Sequence, residues 1–130
     1  MCGIIAYKGS RDATQVAKKG LKTLEYRGYD SWGFACIDAA GDFYIKKDVG
    51  AIGEVNNLSL IPKGRRCHVA MAHTRWATTG KVTVRNAHPH LSEGGQIVVV
   101  HNGIVENYEE LKQQLEKKGF RFKTETDTEV

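Results

Sequence analysis

The run GIIAY at 3–7 begins at the third residue and is short, apolar and partly β-branched, the composition of a strand. A strand that close to the start anchors what precedes it, so Cys2 has a fixed address in the fold rather than a place on a frayed end. Asp12 with Gln15 three residues on resembles a capping box, and Ala13, Val16, Ala17, Leu21 and Leu24 recur at helical spacing up to Glu25. After a polar turn at 27–31, runs 33–37 and 43–47 flank Asp38-Ala39-Ala40-Gly41-Asp42 and read as a hairpin. Segment 49–66 is glycine-containing, with Pro62 and weak periodicity over 49–60, and predicts a short helix and a loop.

Residues 67–73 alternate as a strand, and the polar region 74–95 that follows predicts a long loop, a feature that in compact domains usually carries function. A continuous apolar strand is expected at 96–101. Asn107 with Glu110 caps a second helix with Tyr108, Leu111 and Leu115 on its apolar face, stopped by Gly119, and 120–130 reads as a further strand. Hairpins mixed with single helices make the chain α+β, not a repeating βαβ array. At 130 residues there is room for one core.

Composition excludes several classes. With 41% hydrophobic and 26% charged residues the chain is globular, and its longest clean apolar run, 97–100, is far too short to span a membrane. The start Met-Cys-Gly-Ile-Ile lacks a basic segment followed by a long apolar one, so we expect a cytoplasmic protein. The net charge of +4 is scattered in doublets such as Lys18-Lys19 and Arg65-Arg66 among acids, which argues against nucleic acid as a partner. Three cysteines without a C-x-x-C pair give neither a disulfide framework nor a zinc ribbon, and Cys36 and Cys67, inside apolar strands, read as small hydrophobes without chemistry. The five histidines, His88-Pro89-His90 foremost, match no zinc spacing, so neither a metal nor another cofactor is expected.

Cys2 is the informative cysteine. Loss of Met1 would leave it N-terminal, joining a thiol nucleophile to an α-amino group of pKa roughly 7.7 to 8.0 that can take its proton. A Cys–His arrangement using His73 or His101 is the rival. Asn102-Gly103, just past a strand, offers an amide and a backbone N–H for an oxyanion, or simply a turn. Arg75 supplies a planar fork for a carboxylate and Asp127 a charge for an ammonium, a pair that suits a free amino acid.

Six ordered strings carry a resemblance: CGIIAY at 2–7, LEYRGYDS at 24–31, AHTRWATTG at 72–80, NAHPH at 86–90, VVHNGIVENY at 99–108 and TETDTEV at 124–130. In order and spacing they resemble the glutaminase domain of the glucosamine-6-phosphate synthase family, the isomerizing glutamine–fructose-6-phosphate aminotransferases. Amidophosphoribosyltransferases and asparagine synthetases share the Cys start and the His-Asn-Gly string but differ from EYRGYDS and HTRWAT.

The resemblance implies an N-terminal nucleophile hydrolase, a four-layer αββα sandwich. It implies that Cys2 attacks the side-chain amide of L-glutamine and that Asn102 and Gly103 hold the oxyanion. Arg75 and Asp127 would bind the substrate's α-carboxylate and α-ammonium, Trp76 and Thr78 would line the pocket, with Trp76 as its gate, and Arg27 would stand behind the nucleophile. Thr79 departs from the family's usual histidine, and altered loop contacts are expected there. The chain ends inside the domain, so the expectation is a C-terminally truncated domain over 1–130. Sugar-isomerase domains or a second chain would complete the enzyme, as part of a homo-oligomer. A remnant that only binds glutamine and a basic nucleic-acid-binding protein are the competing readings.

Overall fold

The computed structural model describes residues 1–54, 61–62, 64–78 and 80–130. Strand β1 (Gly3–Lys8) leads into helix α1 (Ala13–Leu24), a 3₁₀ turn at Glu25–Arg27, the hairpin of β2 (Ser31–Asp38) and β3 (Phe43–Val49), a 3₁₀ turn at Ile52–Glu54 and the long strand β4 (Cys67–Arg75). Beyond it lie the two-residue strands β5 (His90–Leu91) and β6 (Val98–Val99), helix α2 (Tyr108–Lys117) and a 3₁₀ turn at Asp127–Glu129. Thr79, and the 55–60 part of the expected short helix, lie outside the described residues.

The main sheet has the order β1-β4-β2-β3 and is antiparallel throughout, so β4 enters between the first strand and the hairpin. Because side chains alternate along each strand, Trp32, Phe34 and Cys36 of β2 and Ala70 and Ala72 of β4 share one face. Ala13, Ala17 and Leu21 of α1 cover that face and form the core with them. Full burial of a side chain such as Leu21 or Phe34 stabilises by about 1.5–3 kcal/mol. Asp12 starts α1 by accepting the Thr14 N–H at 2.9 Å.

The opposite face carries Gly33 and its cross-strand partner His73. Segment 86–90 lies on it, with Asn86, Ala87, His88 and His90 buried. Gly33 is required by this contact, since a Cβ there would run into the His88 carbonyl. Lys47 of β3 ties the segment down by donating to the carbonyls of Arg85 (3.1 Å), Ala87 (2.7 Å) and Pro89 (3.2 Å). Asn86 then holds the last stretch, donating from Nδ2 to Glu125 Oε2 at 2.9 Å and accepting the Glu125 N–H at 3.0 Å. Helix, sheet and a second layer around the β5–β6 pair make an α+β molecule.

Four expectations are corrected. Cys36 and Cys67 are joined as a disulfide: the β2–β4 register puts both on the α1 face with Cα atoms 6.1 Å apart, within bridging reach. Asn107 precedes α2 but makes no side-chain cap, although Tyr108, Leu111 and Leu115 are half-buried as the pattern requires. The apolar run 96–101 pairs only at Val98–Val99, because its partner β5 is itself two residues long. Segment 120–130 is not a strand: the Glu129 carboxylate takes the Lys123 and Thr124 N–H groups that a ladder would need.

Candidate active site

The sheet register decides where Cys2 sits. Gly3 pairs with Thr74 and Ser31 with Arg75, so the start of β1 meets the end of β4. Cys2 Sγ accepts the Trp76 N–H at 3.1 Å and lies 3.4 Å from the Trp76 carbonyl oxygen. A cavity of about 590 Å³ opens there, lined by Cys2, Arg27, Arg75, Trp76, Thr78, Asn102 and Gly103 among others. The structure therefore brings seven of the eight sequence-derived residues around one space. The eighth, Asp127, is buried just behind it; its Oδ2 accepts the Val105 N–H at 2.7 Å, and its neighbour Thr128 reaches the wall.

Asn102 is held at both ends of its amide. Nδ2 donates to the Cys2 carbonyl at 3.2 Å, and Oδ1 lies 2.8 Å from His73 Nε2. Gly103 follows at φ +149°, a conformation that favours glycine, and a Cβ there would stand 2.8 Å from His101 Nε2, so that ring would have to shift to admit one. Arg75 is 4% exposed and donates to the Lys81 carbonyl at 3.3 Å. Burial lowers its pKa, while the nearby Cys2, Asp30 and Asp127 pull it up. Trp76 is half exposed and meets the Tyr29 ring edge-on, centroids 5.6 Å apart.

Some residues take part in the site in ways the sequence does not assign to them. Asp30 accepts the Ala77 N–H at 2.8 Å and donates its own N–H to Arg75 O at 3.1 Å, so it clamps the end of β4 at Arg75 to the chain that leaves it at Trp76 and Ala77. His88 and His101 line the cavity, and the His101 N–H reaches His88 Nδ1 at 3.3 Å. Both stand in the strings NAHPH and VVHNGIVENY; the sequence offers His88 only as a metal signature, and His101 as that or as the base of the rival Cys–His arrangement. Among the described residues no three His, Cys, Asp or Glu side chains are grouped to hold a metal ion, and no helix is long and apolar enough to cross a membrane.

Chemically, the cavity joins a thiol, an amide donor beside it and a buried guanidinium, the parts of an acyl-transfer site for a substrate bearing a carboxylate. Comparison with known proteins points the same way. A family described as a glutamine amidotransferase domain matches residues 63–130. Glutamine–fructose-6-phosphate aminotransferases (isomerizing) are similar along the whole chain: that of Symbiobacterium thermophilum is 50% identical, with 100% of this chain and 21% of the relative covered. That of Pyrococcus horikoshii is 52% identical with the same shares. This chain thus spans about a fifth of the length of the curated relatives it matches. Among solved structures, an allosteric regulatory enzyme of purine biosynthesis superposes with a TM-score of 0.81 at 32% identity, over 97% of this chain and 27% of that one. A glutamine phosphoribosylpyrophosphate amidotransferase from B. subtilis gives 0.78, also at 32% identity and with the same shares.

Proposed function

The chain belongs to the glutamine amidotransferase domain family, with the N-terminal nucleophile hydrolase fold of its structural neighbours, and on that premise we propose that Cys2 is the nucleophile of a glutamine-hydrolysing site. The observation that carries this reading is the meeting of Cys2, Asn102, Gly103 and Arg75 around one cavity. With Met1 removed, the α-amino group of Cys2 takes the thiol proton, and the sulfur attacks the side-chain carbonyl carbon of glutamine. Asn102 Nδ2 and the Gly103 N–H hold the oxyanion as the C–N bond breaks. The nitrogen leaves with a proton as ammonia. Water, deprotonated by the same amine, cleaves the thioester to glutamate and frees the sulfur.

Arg75 binds the α-carboxylate and Asp127, from behind the wall, the α-ammonium. Trp76 and Thr78 line the pocket, Trp76 as its gate, and Arg27 supports the nucleophile from its edge. No cofactor enters these steps. The names of the relatives at about 50% identity support fructose 6-phosphate as the acceptor of the ammonia; our reading adds that sugar-isomerase domains complete the step to glucosamine 6-phosphate in a cytoplasmic homo-oligomer. An amidophosphoribosyltransferase is the weaker reading, resting on structural neighbours at 32% identity.

The test is release of glutamate and ammonia from L-glutamine by the natural protein. The reading requires equal amounts of both, abolished in Cys2→Ala. Unchanged release by that variant contradicts it.

A further inference from the structure

His73 is not part of the cavity wall, yet it is 1% exposed and its Nε2 lies 2.8 Å from the oxygen end of the Asn102 amide. Which end of that amide faces which partner follows from an atom with no choice. The Cys2 carbonyl oxygen can only accept, so the group 3.2 Å from it must be the amide NH₂. The other end is then the oxygen, which also can only accept, and His73 Nε2 must carry a proton to meet it. His73 Nδ1, by contrast, is buried with no hydrogen-bond partner. A proton placed there would be an orphaned buried donor, whereas a bare lone pair packed among rings is the less costly arrangement. The ring is fixed in plane by stacking on His88, centroids 4.3 Å apart.

We infer that His73 is a positioning residue: its Nε2–H holds the Asn102 oxygen so that the Nδ2 donors stay turned toward the Cys2 end of the cavity. The inference rests on the proposed role of Asn102 as oxyanion donor. Without His73 the amide can rotate by half a turn, presenting an oxygen to a developing negative charge, which reverses the sign of the interaction at the moment of reaction. A neutral ring is consistent with the surroundings. Burial, aided by Arg75 and His101, outweighs the raising pull of Asn102 and the His101 backbone and holds the His73 pKa at about 4. This assignment also removes His73 from the list of possible bases for the thiol, since its protonated nitrogen is engaged with Asn102, its bare one makes no hydrogen bond, and the ring does not line the cavity that holds Cys2.

The test uses the natural protein and has two arms. In steady-state glutamine hydrolysis, His73→Phe keeps a planar ring for the stack but no donor. It should lower kcat by about 10- to 100-fold, the scale of a misplaced oxyanion donor, with KM within about threefold of wild type. His73→Gln, which returns an N–H near the Nε2 position, should recover most of that loss. In the second arm, ¹⁵N NMR of wild type at neutral pH should show His73 protonated at Nε2 and bare at Nδ1. A proton on Nδ1, or His73→Phe with wild-type kcat, overturns the inference while leaving the glutaminase reading intact. A wild-type protein that does not hydrolyse glutamine overturns that reading instead; the ¹⁵N arm then still decides the His73–Asn102 geometry, with a bare Nε2 overturning it.

Discussion

Asn102 and Arg75 line the same cavity but meet different parts of the reaction. The α-carboxylate that Arg75 binds is the same group before, during and after amide cleavage, so Arg75→Lys should raise KM for glutamine more than it lowers kcat; a lysine keeps the charge but loses the fork. The Asn102 donor gains strength only as charge grows on the oxygen, so Asn102→Ala should lower kcat by about 10²–10³-fold with a small change in KM. Steady-state kinetics of the two variants side by side measure the split. An Asn102→Ala enzyme with unchanged kcat would remove the oxyanion role. Residues of this kind were legible in the sequence because each carries its chemistry in its own side chain: a cysteine at position 2, an Asn-Gly after a strand, an arginine with its planar fork. The role of Asp30 is not legible, and His73 reads there only as a possible base, because what each does exists only through what it touches, an N–H of Ala77 and an amide of Asn102.

Among the elements, β4 and segment 86–90 do the positioning. β4 takes Thr74 to Gly3 and Arg75 to Ser31, and segment 86–90 packs against the sheet face that holds His73. Gly33 makes room for that packing. Gly33→Ala sets a methyl against the His88 carbonyl, and the strain should lower stability by about 1–3 kcal/mol, as overpacking in a core does. Urea melts of the two proteins check this; equal midpoints would mean that the segment moves away at no cost. Local patterns explain which elements could be read from sequence. α1 has its cap and period within a dozen residues, and the β2–β3 hairpin has its turn chemistry between its strands. The Cys36–Cys67 bridge depends on a register between strands separated by 31 positions in sequence, and strand lengths at 96–101 and 120–130 depend on partners that pattern does not reveal.

At the scale of the whole molecule, stability is tied to a buried set of histidines. Burial holds His73 at about 4, His88 at about 2 and His90 at about 4, with the neighbouring histidines, Arg75 and Lys47 adding to the effect. Unfolded, each titrates near 6.5. Between roughly pH 6.5 and 4 the unfolded chain therefore binds more protons than the folded one, so stability rises with pH across this window and is lost as pH falls through it. Hydrogen bonds that favour the charged form lower the pKa of Glu125, and at Glu129 they do so against burial, so both carboxylates add a loss of the same sign as pH falls below their ordinary range. Thermal melts from about pH 7.5 to 4.5 should show the midpoint falling, most steeply below about 6.5. A flat profile would mean that the three rings are not buried neutral.

The central claim is that the sulfur and the base belong to one residue. Two preparations of the natural protein separate it from any mechanism with a histidine base: one with Met1 removed, verified by intact mass, and one that retains Met1 so that the Cys2 nitrogen is an amide. Both keep the thiol, Asn102, Gly103 and Arg75, and only the first has an amine that can accept a proton near neutral pH. The account predicts glutamine hydrolysis by the processed protein and none by the blocked one. Equal turnover by both would contradict it.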